Sequence, residues 1–265
     1  MSSALSVLNA AGFLLNAVAT GLAQSKIQPF GVVAGKYISL LSPEKWAFSI
    51  WGVIFPWQAL LTVAQLFPPL SASDVLIGFG PWWFFACLSQ SCWALAFSSE
   101  RIELSMIFMA GIVLGLGVAL WESRDSANYC SLSEFWLLLA PISLHFGWIV
   151  AAATVGANIL VMKWAPDDHI LLGFVAVASC LGILGIGISV GLWLKAAGPL
   201  AVGAMAWALL ASADRVRSSG TYGILSPSVT SALFWSAAAA GVVLLALSLW
   251  AGAGNASRRF IRDFL

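Results

Sequence analysis

Three polar residues stand inside long apolar stretches where a hydrogen-bonding group has few partners: Gln90, His145 and Asn158. Gln90 precedes Trp93 by three residues, and His145 precedes Trp148 by three. On a helix each polar group then shares a face with an indole. Asn158 lies ten residues beyond Trp148 in the same stretch. Amides and imidazoles facing hydrocarbon are costly, so all three are expected to point inward. Two readings stay open: hydrogen bonds between helices, or polar contacts to a bound ligand. The 14 tryptophans raise the same choice. Trp51, Trp93, Trp148, Trp207 and Trp235 fall deep within their segments, with Trp57 intermediate. A buried indole N–H wants an acceptor, so these rings are either core packing or the walls of a slot for a flat apolar ligand.

Other chemistries lack their residues. No Asp or Glu lies in the middle of an apolar segment, which argues against ion-coupled transport. Paired carboxylates, a nucleophile elbow and an HExxH cluster are absent from the sequence, so catalysis is unsupported. Cys87, Cys92, Cys130 and Cys180 are scattered with no metal-ligand spacing and read as small hydrophobes. A net charge of +1 without a basic patch argues against a nucleic-acid partner.

The elements that position these residues follow from composition. The chain has 265 residues, 61% hydrophobic and 9% charged, against about 25% charged in a soluble domain. So few charges cannot cover a water-facing surface, and lipid is the solvent the sequence fits. A crossing helix needs about 20 apolar residues. Eight segments are candidates: residues 4–24, 46–67, 80–98, 102–121, 135–164, 170–191, about 199–213, and 229–250. The first is weakly hydrophobic, with Asn9 and Asn16 inside it. Nearly every charge falls in the connections. The fold class expected is therefore an all-α, polytopic membrane bundle, with membrane lipid as its surroundings. No ten-residue alternating pattern supports a barrel.

Trp46, Trp82, Trp83, Trp121, Trp136, Trp164, Trp193 and Trp250 lie near segment ends, where a headgroup belt is expected. Small-residue runs such as Gly182, Gly185, Gly187 and Gly191 suit close helix packing. The N-terminus shows no basic secretory leader and no transit-like stretch. With eight crossings, one side collects Arg124, Lys195, Arg258, Arg259 and Arg262. The other collects Lys26, Lys36, Lys45, Arg101, Lys163, Arg215 and Arg217, a weak bias toward placing the first loop in the cytoplasm or its equivalent.

Residues 43–55 resemble the second helix of the TspO/translocator protein family, the tryptophan-rich sensory proteins, through Trp46, Phe48, Trp51 and Phe55. Gln90, Trp93 and Phe97 are similar to that family's third-helix series. Pro141, Trp148, Ala151, Ala152 and Asn158 look like its fifth. The resemblance covers about residues 1–165, a TspO-like five-helix unit. Residues 166–265 would add a three-helix extension, and longer relatives of that kind are what the chain looks most like. The chain departs from the family pattern in having Gln90 where asparagine is usual and His145 at a position commonly aromatic or apolar.

The resemblance implies an intrabundle pocket for a porphyrin, another tetrapyrrole or a similar planar hydrophobic small molecule, in a sensing, carrier or scavenging role. Its walls would be Trp46, Trp51, Phe55, Gln90, Trp93, Phe97, Trp148 and Ala151, with His145 and Asn158 as further polar contacts and the Lys26–Lys45 loop as lid. Gln90 or His145 would hydrogen-bond a polar edge of the ligand. Two other classes remain open: a transporter of a neutral or amphipathic solute, and a structural or assembly subunit. A homodimer or a membrane-complex partner fits any of them.

Overall fold

The computed structural model describes the backbone of residues 2–37 and 39–264 and the side chains of residues 4–37 and 39–254. Arg258, Arg259 and Arg262 lie outside the described side chains, and Ile38 interrupts the described part of the first loop. The helices are α1 (Ser2–Leu22), α2 (Phe30–Lys36), α3 (Trp51–Ala64), α4 (Asp74–Phe79), α5 (Trp82–Ser98), α6 (Ile102–Glu122), α7 (Leu132–Glu134), α8 (Ala140–Trp164), α9 (His169–Trp193), α10 (Gly198–Ser219) and α11 (Pro227–Phe264). Eight of them are long, as the apolar segments require, and no strand occurs among the described residues. Seven spans are long and apolar enough to cross a membrane, and α5, with 17 residues, is the eighth long helix. The molecule is an integral, multi-pass membrane protein.

Local sequence explains where the helices start and bend. Ser73 caps α4 by accepting from the Val75 N–H, and Asp168 caps α9 by accepting from Leu171. Ser131 and Glu134 form a reciprocal capping box at α7. Pro141, near the start of α8, has no N–H to return to Leu137, and a wide π turn over Phe135–Leu139 precedes it. Pro56 likewise sits early in α3, behind a 3₁₀ run over Lys45–Ile50.

Two helices form the centre. The spans containing α8 and α10 are 72% and 78% buried, whereas each other span is below 40%, so the remaining helices surround this pair. Their contact is backbone-close: a Cβ on Gly147 would lie 2.0 Å from the Ala201 carbonyl oxygen. Only glycine fits there. Ser143 donates its hydroxyl to the Ala197 carbonyl and accepts from the Ala201 N–H at 3.1 Å. Helix α10 therefore packs into the middle of the bundle. On the other flank, α1 crosses α5 where Gly12 meets Phe84, and α6 bridges α5 to α8.

The loops segregate to two ends. At one, here called the lid end, Ser98 donates to Gln28 O, Lys36 pairs with Glu100, Lys163 pairs with Glu103, and Arg215 pairs with Glu44. At the opposite end Ser6 donates to Gln65 O and Ser73 to Glu134. The helices thus alternate in direction.

The tryptophans sort differently from expectation in three places. Trp83 is 1% exposed and packs on Phe13, so it is core rather than belt. Its neighbour Trp82 remains only half-buried, because a helix turns adjacent residues by about 100°. Trp235 is 65% exposed and faces lipid rather than core. Trp207, also exposed, sends its N–H to Ala47 O at 3.1 Å. Trp121, Trp136, Trp164 and Trp193 are exposed near helix ends, as a belt requires, whereas Trp250 is exposed within α11, which runs on to Phe264.

Candidate functional site

Helix α3 and the residue after it present Trp51, Phe55, Gln58, Thr62 and Gln65 at alternating spacings of four and three, which is one helical face. From it Trp51 and Gln58 meet α8. Trp51 lies 5.3 Å from Phe55, 5.6 Å from the His145 ring and 6.2 Å from Trp148, the last two edge-to-face. Phe48 meets Trp148 at 5.5 Å. Four of the expected site residues, Trp51, Phe55, His145 and Trp148, thus come together on two helices.

The polar atoms of this cluster are unevenly satisfied. Gln58 Nε2 lies 2.8 Å from His145 Nδ1. With Nδ1 accepting from that amide, the imidazole proton sits on Nε2, which is buried and has no partner. The Trp148 indole N–H is also buried without an acceptor. Both donors stand one turn apart on α8. A buried donor left unpaired costs about 1–3 kcal/mol. Both donors are buried beside the aromatic rings of Trp51 and Phe48. Among the described residues no three His, Cys, Asp or Glu side chains come together, so His145 offers a metal a single nitrogen.

Trp93 and Phe97 form a second cluster on α5, stacked at 5.2 Å and 13°. Phe30 from α2 lies against both, 5.0 Å from Trp93 and 6.0 Å from Phe97. The first loop thus covers the lid end of α5. A charged latch holds it: Lys36 Nζ lies 2.5 Å from Glu100 Oε1, and the Tyr37 hydroxyl donates to Glu100 Oε2 at 3.2 Å. Gln28, with its amide turned to suit both charges, donates to Glu100 at 2.9 Å and accepts from Lys36 at 2.8 Å. The Lys36 ammonium holds the Glu100 carboxyl below its ordinary range, while burial, then the neighbouring carboxylate, pushes the Tyr37 phenol up.

The other expected residues go elsewhere. Gln90 Oε1 accepts from Asn16 Nδ2 at 3.1 Å and so fastens α5 to α1. Asn158 donates to Thr154 O at 2.9 Å and Ser179 Oγ at 3.0 Å, joining α8 to α9. Trp46 packs on Trp207 at 4.7 Å and donates to Asp214 at 3.0 Å, so it meets α10. Ala151 is buried in α8, one turn beyond Trp148. An open cleft of about 400 Å³ lies between α10 and α11, lined by Val216, Thr221, Leu225, Pro227, Thr230 and Phe234, and includes none of these residues.

Sequence reasoning missed Gln58 and Phe30, and read Phe48 as part of the family pattern without placing it at the site. Gln58 was findable from the four-and-three spacing that carries Trp51 and Phe55 onto one face. Phe30 was not, because its short helix has little sequence signature. No curated protein and no solved structure matches the chain. A family model described as TSPO-like protein matches residues 6–250, from the first long helix into the last, and the chain therefore belongs to the TSPO-like family.

Proposed function

We propose that the protein binds a flat, largely apolar molecule bearing a hydrogen-bond acceptor, of the porphyrin or tetrapyrrole type, between α3 and α8, in a sensing, carrier or scavenging role. The carrying observation is the pair of unpartnered donors, His145 Nε2 and Trp148 Nε1, set beside Trp51, Phe55 and Phe48. The ligand's oxygen takes both donors while its face replaces the edge-to-face contacts of Trp51. Each such aromatic contact contributes about 0.5–1.5 kcal/mol beyond area burial, so swinging Trp51 aside is inexpensive. The α2 cover and its Lys36–Glu100 latch then close over the lid end of the bundle.

The test is a titration of purified protein in mild detergent, following tryptophan fluorescence. Protoporphyrin, which carries peripheral carboxylates, should quench saturably. Octaethylporphyrin, which carries no oxygen, should bind about tenfold more weakly, since about 1.4 kcal/mol is a tenfold change. Trp51→Leu combined with Trp148→Leu should weaken protoporphyrin binding further. Equal affinity for both porphyrins, or a double variant that binds like wild type, would overturn the assignment.

A further inference from the structure

A second set of unpaired buried atoms lies at the opposite end of the bundle, away from the aromatic cluster. Ser6 Oγ donates to the Gln65 carbonyl at 3.1 Å, which fixes the crossing of α1 on α3. Asn9 follows Ser6 on the same face of α1, one turn deeper, and Thr62 precedes Gln65 by one turn on α3. Asn9 and Gln65 are both fully buried. Neither Nδ2 nor Oδ1 of Asn9 has a partner, and neither does Oε1 of Gln65. Gln65 Nε2 reaches only Thr62 O, at 3.5 Å. The Ser6–Gln65 bond places Gln65 at the crossing and Asn9 within one turn of it, and the two amides do not bond each other.

Burying one such group in hydrocarbon without a partner costs several kcal/mol, and membrane helices do not carry that cost in lipid. A molecule that donates and accepts at once satisfies both amides, and the smallest one is water. We infer that one or more ordered waters bridge Asn9 and Gln65, forming a hydrated joint between α1 and α3. This joint is independent of the ligand site proposed above. Buried waters of this kind make about three hydrogen bonds, and the atoms named here supply that many.

Two measurements test it. The first is the thermal midpoint of Asn9→Leu. Leucine has nearly the shape of asparagine and no polar atom. A hydrated joint predicts a lower midpoint, by about 2–4 °C for each kcal/mol of lost bridging. An amide that truly lacks partners predicts a rise. The second uses wild-type protein alone, so it stands even if the variant does not fold. X-ray radiolysis in oxygen-18 water generates hydroxyl radicals from bound water in place. Phe13, one turn beyond Asn9 and 6% exposed, should take up the heavy oxygen. An unlabelled Phe13, or a midpoint that rises in Asn9→Leu, would overturn the inference.

Discussion

Replacing Gly147 with alanine should loosen the centre of the molecule. The added Cβ would lie 2.0 Å from the Ala201 carbonyl oxygen, 2.7 Å from its carbonyl carbon and 2.8 Å from its Cα, where ordinary contact begins near 3.4 Å. All three atoms are backbone, so no rotamer change relieves the clash and α10 must move away from α8. Overpacking by one methyl costs about 1–3 kcal/mol, and the rigid neighbour puts this site at the upper end. The same shift stretches the bond from the Ala201 N–H to Ser143 Oγ, now 3.1 Å, a loss of about 0.5–1.5 kcal/mol. Together about 4 kcal/mol is expected, which lowers the unfolding midpoint by about 8–16 °C for a chain of this size. The assay is a thermal melt in detergent, read by tryptophan fluorescence and by retention of a single size-exclusion peak. Gly185→Ala is the control, since no atom lies within 4 Å of its added Cβ. It should leave the midpoint unchanged or raise it slightly through helix propensity. A Gly147→Ala midpoint equal to wild type would refute the reasoning, because the α8–α10 contact would then not be as close as described.

Three further outcomes follow from the same geometry. Gln58→Leu should destabilise by about 1–3 kcal/mol, because it leaves His145 Nδ1 unpaired, whereas Gln58→Leu with His145→Leu should recover much of the loss in the same melts. Acid should release the α2 cover: Glu100 titrates below its ordinary 4.5 while docked, so the latch is at full strength above that value and is lost as pH falls through the lowered one. Hydrogen exchange of residues 30–36 should accelerate there, and Glu100→Gln should show the faster exchange already at pH 7. Trp207→Phe should cost about 0.5–1.5 kcal/mol by removing the N–H that reaches Ala47 O, read as a lower melting midpoint.

The sequence made the long helices readable because lipid imposes one length and expels charge, and both marks survive without an alignment. The eight apolar segments agree with α1, α3, α5, α6, α8, α9, α10 and α11 to within a few residues, except that α10 and α11 run on past their segments into polar sequence. Facing was harder to read. Trp82 and Trp83 are adjacent and equally apolar, yet only Trp83 is core, since the outcome depends on where Phe13 arrives from α1. The expected polar contacts divided for the same reason. His145 faces the aromatic cluster, while Gln90 and Asn158 are engaged by Asn16 and Ser179, partners 74 and 21 residues away. Asn9 first drew notice only as a weakness in the hydrophobicity of its segment. Its role at a helix crossing depends on the register that Ser6 and Gln65 set. The Lys26–Lys45 loop is expected as a lid but its helix is not, because Phe30–Lys36 contains two glycines and two valines in seven residues, a composition with poor helix propensity that docking on Trp93 and Phe97 overrides.

The most direct test of the ligand site is proton–nitrogen NMR of protein labelled at the indole nitrogens, with Trp148→Phe assigning one peak. Saturation with protoporphyrin should move the Trp148 indole proton downfield as it gains an acceptor. A Trp148 peak that stays in place while the porphyrin is demonstrably bound would contradict the account.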